Sequence, residues 1–314
     1  MGIFIAKRIG LAAIIVVIAV ILLYSMIQIV PGDPVSVILG PRATPEMKAA
    51  MQAKMGLDRP FVVQVLDFLG NTLQGDLGTD FFSNRPVADI VFEQLPYTLV
   101  LVLTGIAWAV VLGLPLGCYS AIRRNSLLDK ITGVVSVSAI AVPSFVVSIY
   151  TLLVFAVALK WLPAIGAGDE GDWGDQLLHL IMPAFAVGLS WVGYIARLVR
   201  ASMLEVMGEN FIRTARAFGL SERLVTYRYA LRVAVLPTIA LLGVGIGHLL
   251  STAVFAEIVF ARPGIGKLIY DGVISRNYPI VMGCVVVTTF LFVACTTLAD
   301  IAAAVMDPRI REQL

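Results

Sequence analysis

The sequence predicts an all-α membrane protein with six transmembrane helices, on three observations. Of its 314 residues, 59% are hydrophobic and only 14% charged, well under the roughly one-quarter charged of soluble domains. Six windows of 21 to 29 residues carry no charge at all, each long enough for the ~20 apolar residues that cross ~30 Å of hydrocarbon as a helix. Lysine and arginine are spread unevenly over the segments between those windows.

Taken in chain order, the windows lie between Arg8 and Asp33, Glu93 and Arg123, Lys130 and Lys160, Asp175 and Arg197, Arg232 and Glu257, and Arg276 and Asp300. A mid-span charge costs about +3 kcal/mol while each aliphatic residue gains a few tenths, so a charge-free run of twenty is strongly favoured in lipid. Tyr97, Trp161, Trp173 and Tyr278 stand near the ends of these runs, where interfacial aromatics belong. The first run, preceded by Lys7 and Arg8, is longer than the apolar region of a signal peptide. No small-residue cleavage site follows it, so it reads as a retained helix.

With both termini on one side, that side holds residues 1–8, 121–130, 197–232 and 300–314. It carries 14 of the 23 basic residues and 7 of the 21 acidic ones. The positive-inside rule then expects both termini in the cytoplasm. A net charge near +2 without a concentrated basic face excludes a nucleic-acid binder. Cys118, Cys284 and Cys295 sit in apolar runs without metal spacing and read as packing residues.

The organisation that follows has residues 1–30 as the cytoplasmic end and first helix, 31–96 as an external segment, 97–305 as a five-helix core, and 306–314 as a cytoplasmic tail. Pro31-Gly32-Asp33-Pro34 ends the first helix. Thr44-Pro45-Glu46 opens a short helix with an N-cap and an acidic first turn, Met47, Met51 and Met55 share one of its faces, and Gly56 stops it. A second external helix is expected near Phe61–Leu73. The carboxylates Asp169, Glu170, Asp172 and Asp175 lie among glycines in the 159–178 loop and read as a solvated acidic loop. Pro115, Pro143 and Pro183 are expected to interrupt the second, third and fourth spans. Gly113/Gly117 and Gly243/Gly247 are spaced to let helix backbones approach.

Residues 197–232 are the most informative stretch. Phe211, Ala215 and Phe218 fall on one face of a short helix, with Arg213 and Arg216 on another. Gly219 is placed to end that helix in the left-handed conformation, and Ser221 to cap the next one, which carries Arg223, Arg228 and Arg232. The product is a helix, a sharp turn and a helix: either a basic hairpin lying on headgroups or a knob that docks a cytoplasmic partner.

The run Phe211-Ile212-Arg213-Thr214-Ala215-Arg216-Ala217-Phe218-Gly219-Leu220-Ser221-Glu222-Arg223, followed by Leu236-Pro237, resembles the EAA-type cytoplasmic loop of ABC importer permeases. The 18-residue distance from Gly219 to Pro237 and the opening Thr214 are similar to the dipeptide/oligopeptide/nickel subfamily. Further segments fall in that subfamily's order: Pro31 to Pro34, Gly56-Leu57-Asp58-Arg59-Pro60, Gly75-Asp76-Leu77-Gly78, Trp161-Leu162-Pro163, then Arg197, Arg200 and Met203-Leu204. Glu257 to Phe260, Pro263-Gly264-Ile265-Gly266, Tyr278-Pro279 and Asp307-Pro308-Arg309-Ile310-Arg311 complete the series. Thr297 departs from the pattern, which has Asn ahead of Asp300.

This resemblance implies a type I ABC importer permease fold, with a small helical external segment between helices 1 and 2, in a bacterial inner membrane. It implies a second homologous permease, two cytoplasmic ATPases holding ATP and Mg, and an external substrate-binding protein. The substrate it implies is a di- or oligopeptide, with nickel or metal chelates, glutathione and opines as alternatives. The coupling loop, at about 205–232, carries over as Arg213, Thr214, Ala215, Arg216, Ala217, Gly219, Leu220, Ser221 and Glu222. Pro143, Ser144, His248 and Glu257 are candidates for the pathway or a gate. His179 and His248 have no acidic partner at metal spacing and read as packing residues.

No catalytic or metal-binding set emerges. Gly264-Ile265-Gly266-Lys267-Leu268 lacks the Walker spacing, with Ala261 and Leu268 in place of the required Gly and Ser/Thr. The energy source therefore has to be a partner. The rival from another class is a secondary transporter or channel, which would use intramembrane acidic residues that the six windows do not contain.

Overall fold

The computed structural model describes residues 2–29, 35, 43–54 and 58–306. The turn at Pro31 to Pro34, the stop at Gly56, the tail motif from Asp307 and the side chains of Met51 and Met55 lie outside them. The described residues are almost entirely helical, with one isolated antiparallel bridge between Thr79 and Pro86.

The helices are α1 (Gly2–Ile29), α2 (Pro45–Lys54), α3 (Phe61–Leu73), α4 (Val87–Ile122), α5 (Leu127–Ala141) and α6 (Ser144–Thr151), the last continuing as a π-helix over Leu152–Ala158. There follow α7 (Trp173–Val206), α8 (Asn210–Ala217), α9 (Glu222–Leu224), a π-helical Val225–Ala230 and α10 (Leu231–Ala234). The described residues end with α11 (Leu236–Val259), α12 (Ile265–Ile274) and α13 (Tyr278–Met306). Among the described residues, four stretches are long and apolar enough to cross a membrane: α4, α7, Leu241–Val259 and Tyr278–Ala299. The pair α5 and α6, extended to Ala158, is long and apolar enough only when its two parts are taken together, and is bent by 100° at their junction, while Ile9–Ser25 of α1 is a shorter apolar stretch.

That bend sits at Pro143. Proline forces its predecessor out of the α region, and Val142 is extended at φ −83° and ψ 121°. Pro115 and Pro183 correct the expectation of three interrupted spans, for both lie inside continuous helices. A proline within a helix removes one intrahelical bond without necessarily breaking the rod when neighbours hold it.

The chain divides into two compact units, residues 1–98 with 263–293 and residues 99–262 with 294–314. In the first, Leu77, Val87, Val91, Ile265, Ile280 and Cys284 form a buried core. A second cluster there joins Val20 of α1, Val65 of α3 and Met282 of α13. Thr44 receives the Met47 N–H on its hydroxyl at 3.3 Å, the expected cap of α2. α3 spans Phe61–Leu73 as the sequence indicated, while α4 starts at Val87, ahead of the boundary placed at 97.

In the second unit α4 and α7 touch through small residues. A Cβ on Gly117 would lie 2.5 Å from the Ala196 carbonyl oxygen, and one on Gly113 would lie 2.9 Å from the Ile195 side chain. Such backbone proximity is what small residues at this spacing permit in lipid. Trp108 of α4 donates Nε1–H to the Ala184 carbonyl of α7 at 2.7 Å and stacks on Phe185 with centroids 5.2 Å apart. Two carboxylates of the 159–178 loop hold the start of α7: Asp172 caps it by accepting the N–H groups of Gly174 and Asp175, and Asp175 accepts the loop N–H of Asp169 at 2.7 Å.

Candidate functional site

The hairpin after α7 begins with a short turn. Backbone bonds run from Met207 to Met203, Gly208 to Glu205, Glu209 to Val206, and Ile212 to Glu209, and Glu209 is extended between the two helices at φ −68° and ψ 151°. At the far end of α8, Gly219 has φ +76°. Its N–H bonds the Arg216 carbonyl at 2.9 Å and the Leu220 N–H bonds the Ala215 carbonyl at 3.4 Å. This pair of bonds is a Schellman cap, which needs the left-handed residue that glycine supplies most easily. Arg216 then reaches across the turn to Glu222 with two bonds, 2.8 and 3.3 Å.

The packed face differs from the one expected. Ile212 and Ala215 are buried, whereas Phe211 is 41% exposed and Phe218 is 81% exposed. Phe218 is the C-cap, at φ −74° and ψ 2°, so it has left the helical register that would have aligned it with Ala215. Ser221 occupies the N-cap position of α9 but its side chain makes no capping bond. The cap expected of its hydroxyl is thus absent, and the Val225 N–H bonds its carbonyl instead, at 3.0 Å. Arg213, Thr214, Arg216, Ala217, Gly219, Ser221 and Glu222 are exposed, Leu220 is partly so, and Ala215 is buried. The result is a tip that exposes Arg213, Arg216 and Phe218 on a buried apolar root of Ile212, Ala215, Val225 and Ala230.

The other candidates do not converge. Pro143 and Ser144 flank the bend, where the adjacent Phe145 lies 5.9 Å from Phe255 of α11, centroid to centroid. Glu257, close by in sequence, is fully buried. His248 is exposed, its ring 6.2 Å from that of Trp191. Nine residues along a helix are ~13.5 Å and half a turn of rotation, so His248 and Glu257 point to opposite faces. His179 corrects another reading, for it does have an acidic neighbour: its Nδ1 lies 3.3 Å from a carboxylate oxygen of Asp175 one turn earlier.

Sequence reasoning missed two polar clusters. Asp129 of α5 is buried and receives both Nε and Nη2 of Arg200 of α7, at 2.6 and 2.9 Å. The signal was present as Ser126 three residues before Asp129, a helix-opening pattern. In the first unit Asp80 is buried and gathers the Ser83 hydroxyl, the Asn277 amide and the N–H groups of Phe82 and Ser83. Beside it lies a cavity of about 560 Å³ lined in part by Tyr24, Arg59, Asp67, Asp80 and Tyr278. Among the described residues, no three His, Cys, Asp or Glu side chains are grouped to hold a metal ion.

Long apolar helices, with a helix pair bent at Pro143 and a polar hairpin with an exposed aromatic tip, describe a multi-pass membrane protein. Residues 113–312 match the family described as Binding-protein-dependent transport system inner membrane component. Residues 1–102 match Binding-prot-dependent transport system membrane comp, N-term. The chain is 34% identical, over 98% of its length and 98% of theirs, to the Glutathione transport system permease protein GsiC of Escherichia coli (strain K12) and of Shigella flexneri serotype 5b. It is 38% identical, over 93% of each chain, to a Brucella suis biovar 1 protein that carries the provisional name of a peptide permease. In fold it is similar to a chain of the MetNI methionine ABC transporter solved in inward-facing conformations, with TM-score 0.59 and 17% identity over 69% of this chain and 96% of that one. The chain belongs to the binding-protein-dependent transport system inner membrane components, the permeases of ABC importers.

Proposed function

We propose that this chain forms, with a second homologous permease, the translocation pathway of an ATP-driven importer of di- and oligopeptides. An external binding protein delivers the substrate, and two cytoplasmic ATPases hydrolyse ATP with Mg while this chain catalyses nothing itself. In this reading six helices cross the inner membrane, α1 being the first and the bent pair the third. Both termini are cytoplasmic and residues 31–96 face outward. Residues 205–232 form the loop that engages the ATPases.

The observation that carries the reading is the hairpin. Its root is buried, its turn is closed by the Gly219 cap, and its tip presents Phe218, Arg213 and Arg216 to solvent. A hairpin that merely rested on lipid would have no need of a buried root and a capped turn. A knob that transmits force does, because driving a two-state gate from one side to the other takes on the order of 5.5 kcal/mol of differential binding.

The peptide assignment is supported by the names of the relatives, one a peptide permease and the other a permease for glutathione, itself a tripeptide. Glutathione is the second reading, favoured by 34% identity along nearly the whole chain. Uptake of labelled alanyl-alanine, trialanine and glutathione in cells expressing all subunits tests both. Expected is uptake of at least one peptide that disappears without the ATPases. Nickel accumulation with no peptide uptake would overturn the substrate class. Uptake indifferent to loss of the ATPases would point to a secondary transporter.

A further inference from the structure

We propose that the ion pair between Asp129 and Arg200 is the joint that carries motion of the hairpin into α4 and α5, which makes both of them positioning residues for gating. The inference rests on the coupling-loop reading above. Four donors meet on the single Asp129 carboxylate. Arg200 supplies Nε at 2.6 Å and Nη2 at 2.9 Å, Ser120 supplies its hydroxyl, and Asn125 supplies its backbone N–H at 2.9 Å. Ser120 stands near the end of α4, Asp129 in the first turn of α5 and Arg200 in α7, so one carboxylate ties three helices. Asn125 has φ 63°, a left-handed turn that aims its N–H back at Asp129, and the Ser126 hydroxyl receives the Asp129 N–H at 3.2 Å.

Two features favour a joint over simple cohesion. A forked guanidinium on a carboxylate resists both sliding and rotation, which a point contact does not. Well-packed apolar side chains in place of a buried ion pair often hold a protein together as well or better, and the best-attested use of such pairs is to set register. Arg200 also lies only six residues before the end of α7, ~9 Å along its axis. From there a short turn leads into α8, held by bonds from the Glu209 N–H to the Val206 carbonyl at 3.0 Å and from the Ile212 and Arg213 N–H groups to the Glu209 carbonyl at 3.2 and 3.3 Å. Displacement of the hairpin is therefore delivered to Arg200, and from Arg200 to α4 and α5 through Asp129.

The experiment uses the assembled complex of two permeases and two ATPases, with the three cysteines of this chain replaced. Spin labels are placed at Val134 and Ile149, both exposed on either side of the 100° bend. The probe is ATP with Mg and vanadate, so no transported substrate is needed. In the parent, trapping shifts the distance between the labels. Asp129→Asn is expected to cut the shifted fraction at least ~5-fold, the low end of coupling between sites, while ATP hydrolysis persists. Arg200→Lys, which keeps the charge and loses the fork, is expected to lose part of the response. Combining Asp129→Asn with Arg200→Met is expected to cost no more than either alone, since they act as one unit. A full parental shift in Asp129→Asn overturns the joint. So does a full shift in Arg200→Lys should Asp129→Asn not assemble, and failure of both to assemble leaves only a structural role. A parent complex whose labels ignore trapping would instead sink the coupling-loop reading.

Discussion

Asn277, just ahead of α13, donates its side-chain amide to the carboxylate of Asp80, 197 positions earlier in the chain. That bond fixes the loop before α4 to the segment before α13, since Asp80 also binds the Ser83 hydroxyl and the N–H groups of Phe82 and Ser83. Burial alone would raise the Asp80 pKa, but the bonds from Ser83, Asn277 and Phe82 outweigh it and hold the group below the usual carboxylate range.

A depressed folded pKa contributes stability that is full above the unfolded value of about 3.9 and is lost as pH falls through the folded one. The first unit is therefore expected to loosen below about pH 4. Asp80→Ala should cost about 1–3 kcal/mol, because it leaves the Asn277 amide buried without its acceptor. Thermal unfolding in detergent across pH 3–7 checks this: Asp80→Asn should flatten the acid limb, and an unchanged limb would refute the role.

Gly219→Val should reduce transport severely while the chain still inserts and assembles. A Cβ there meets nothing within 4 Å, so the penalty is conformational, on the order of 1–2 kcal/mol for a left-handed residue, and greater for a β-branched one. Gly219→Asn, which tolerates that conformation, should keep most of the activity. Equal activity of Val and Asn variants in one uptake assay would show that the cap geometry does not matter.

Gly117→Ala should destabilise by about 1–3 kcal/mol, because its methyl group would meet the Ala196 carbonyl oxygen and force α4 off α7. Gly133→Ala is the control: nothing lies within 4 Å of its Cβ, and alanine favours the helix by about 1 kcal/mol over glycine. Melting temperatures should move in opposite directions. A Gly117→Ala variant that melts with the parent would mean that the two helices are not held at this distance.

Single cysteines on a background without the native three should show residues 123–130 and 211–223 on the cytoplasmic side and 44–90 and 165–175 outside. An impermeant maleimide is expected to reach position 170 in sealed cells and position 221 only after permeabilisation. Labelling of position 221 from outside would invert the topology.

Much of this was legible in the residues. Charge-free windows located the long helices because the cost of a charge in lipid dominates every local preference. Thr44, Phe61–Leu73 and Gly219 were readable because capping and turn chemistry act over four or five residues. Long-range pairing was not. Nothing near Asp129 names Arg200, and nothing near Asp80 names Asn277, for such partners are set by which helices meet. Phe218 was placed on the wrong face because periodicity assumes that a helix continues, whereas the cap at Gly219 had already ended it.

The bend at Pro143 has a further consequence for water. Pro143 offers no N–H to the Ala139 carbonyl, and with Val142 extended the ladder from α5 does not continue into α6. Hydrocarbon satisfies none of the backbone groups released this way, so such a break persists only where protein or solvent reaches them. The middle of the third charge-free window is thus a place expected to be reached by neighbouring protein or by water. Amide deuterium exchange at Ser144 and Phe145 should run far faster than at Val187, at the buried centre of the unbroken α7.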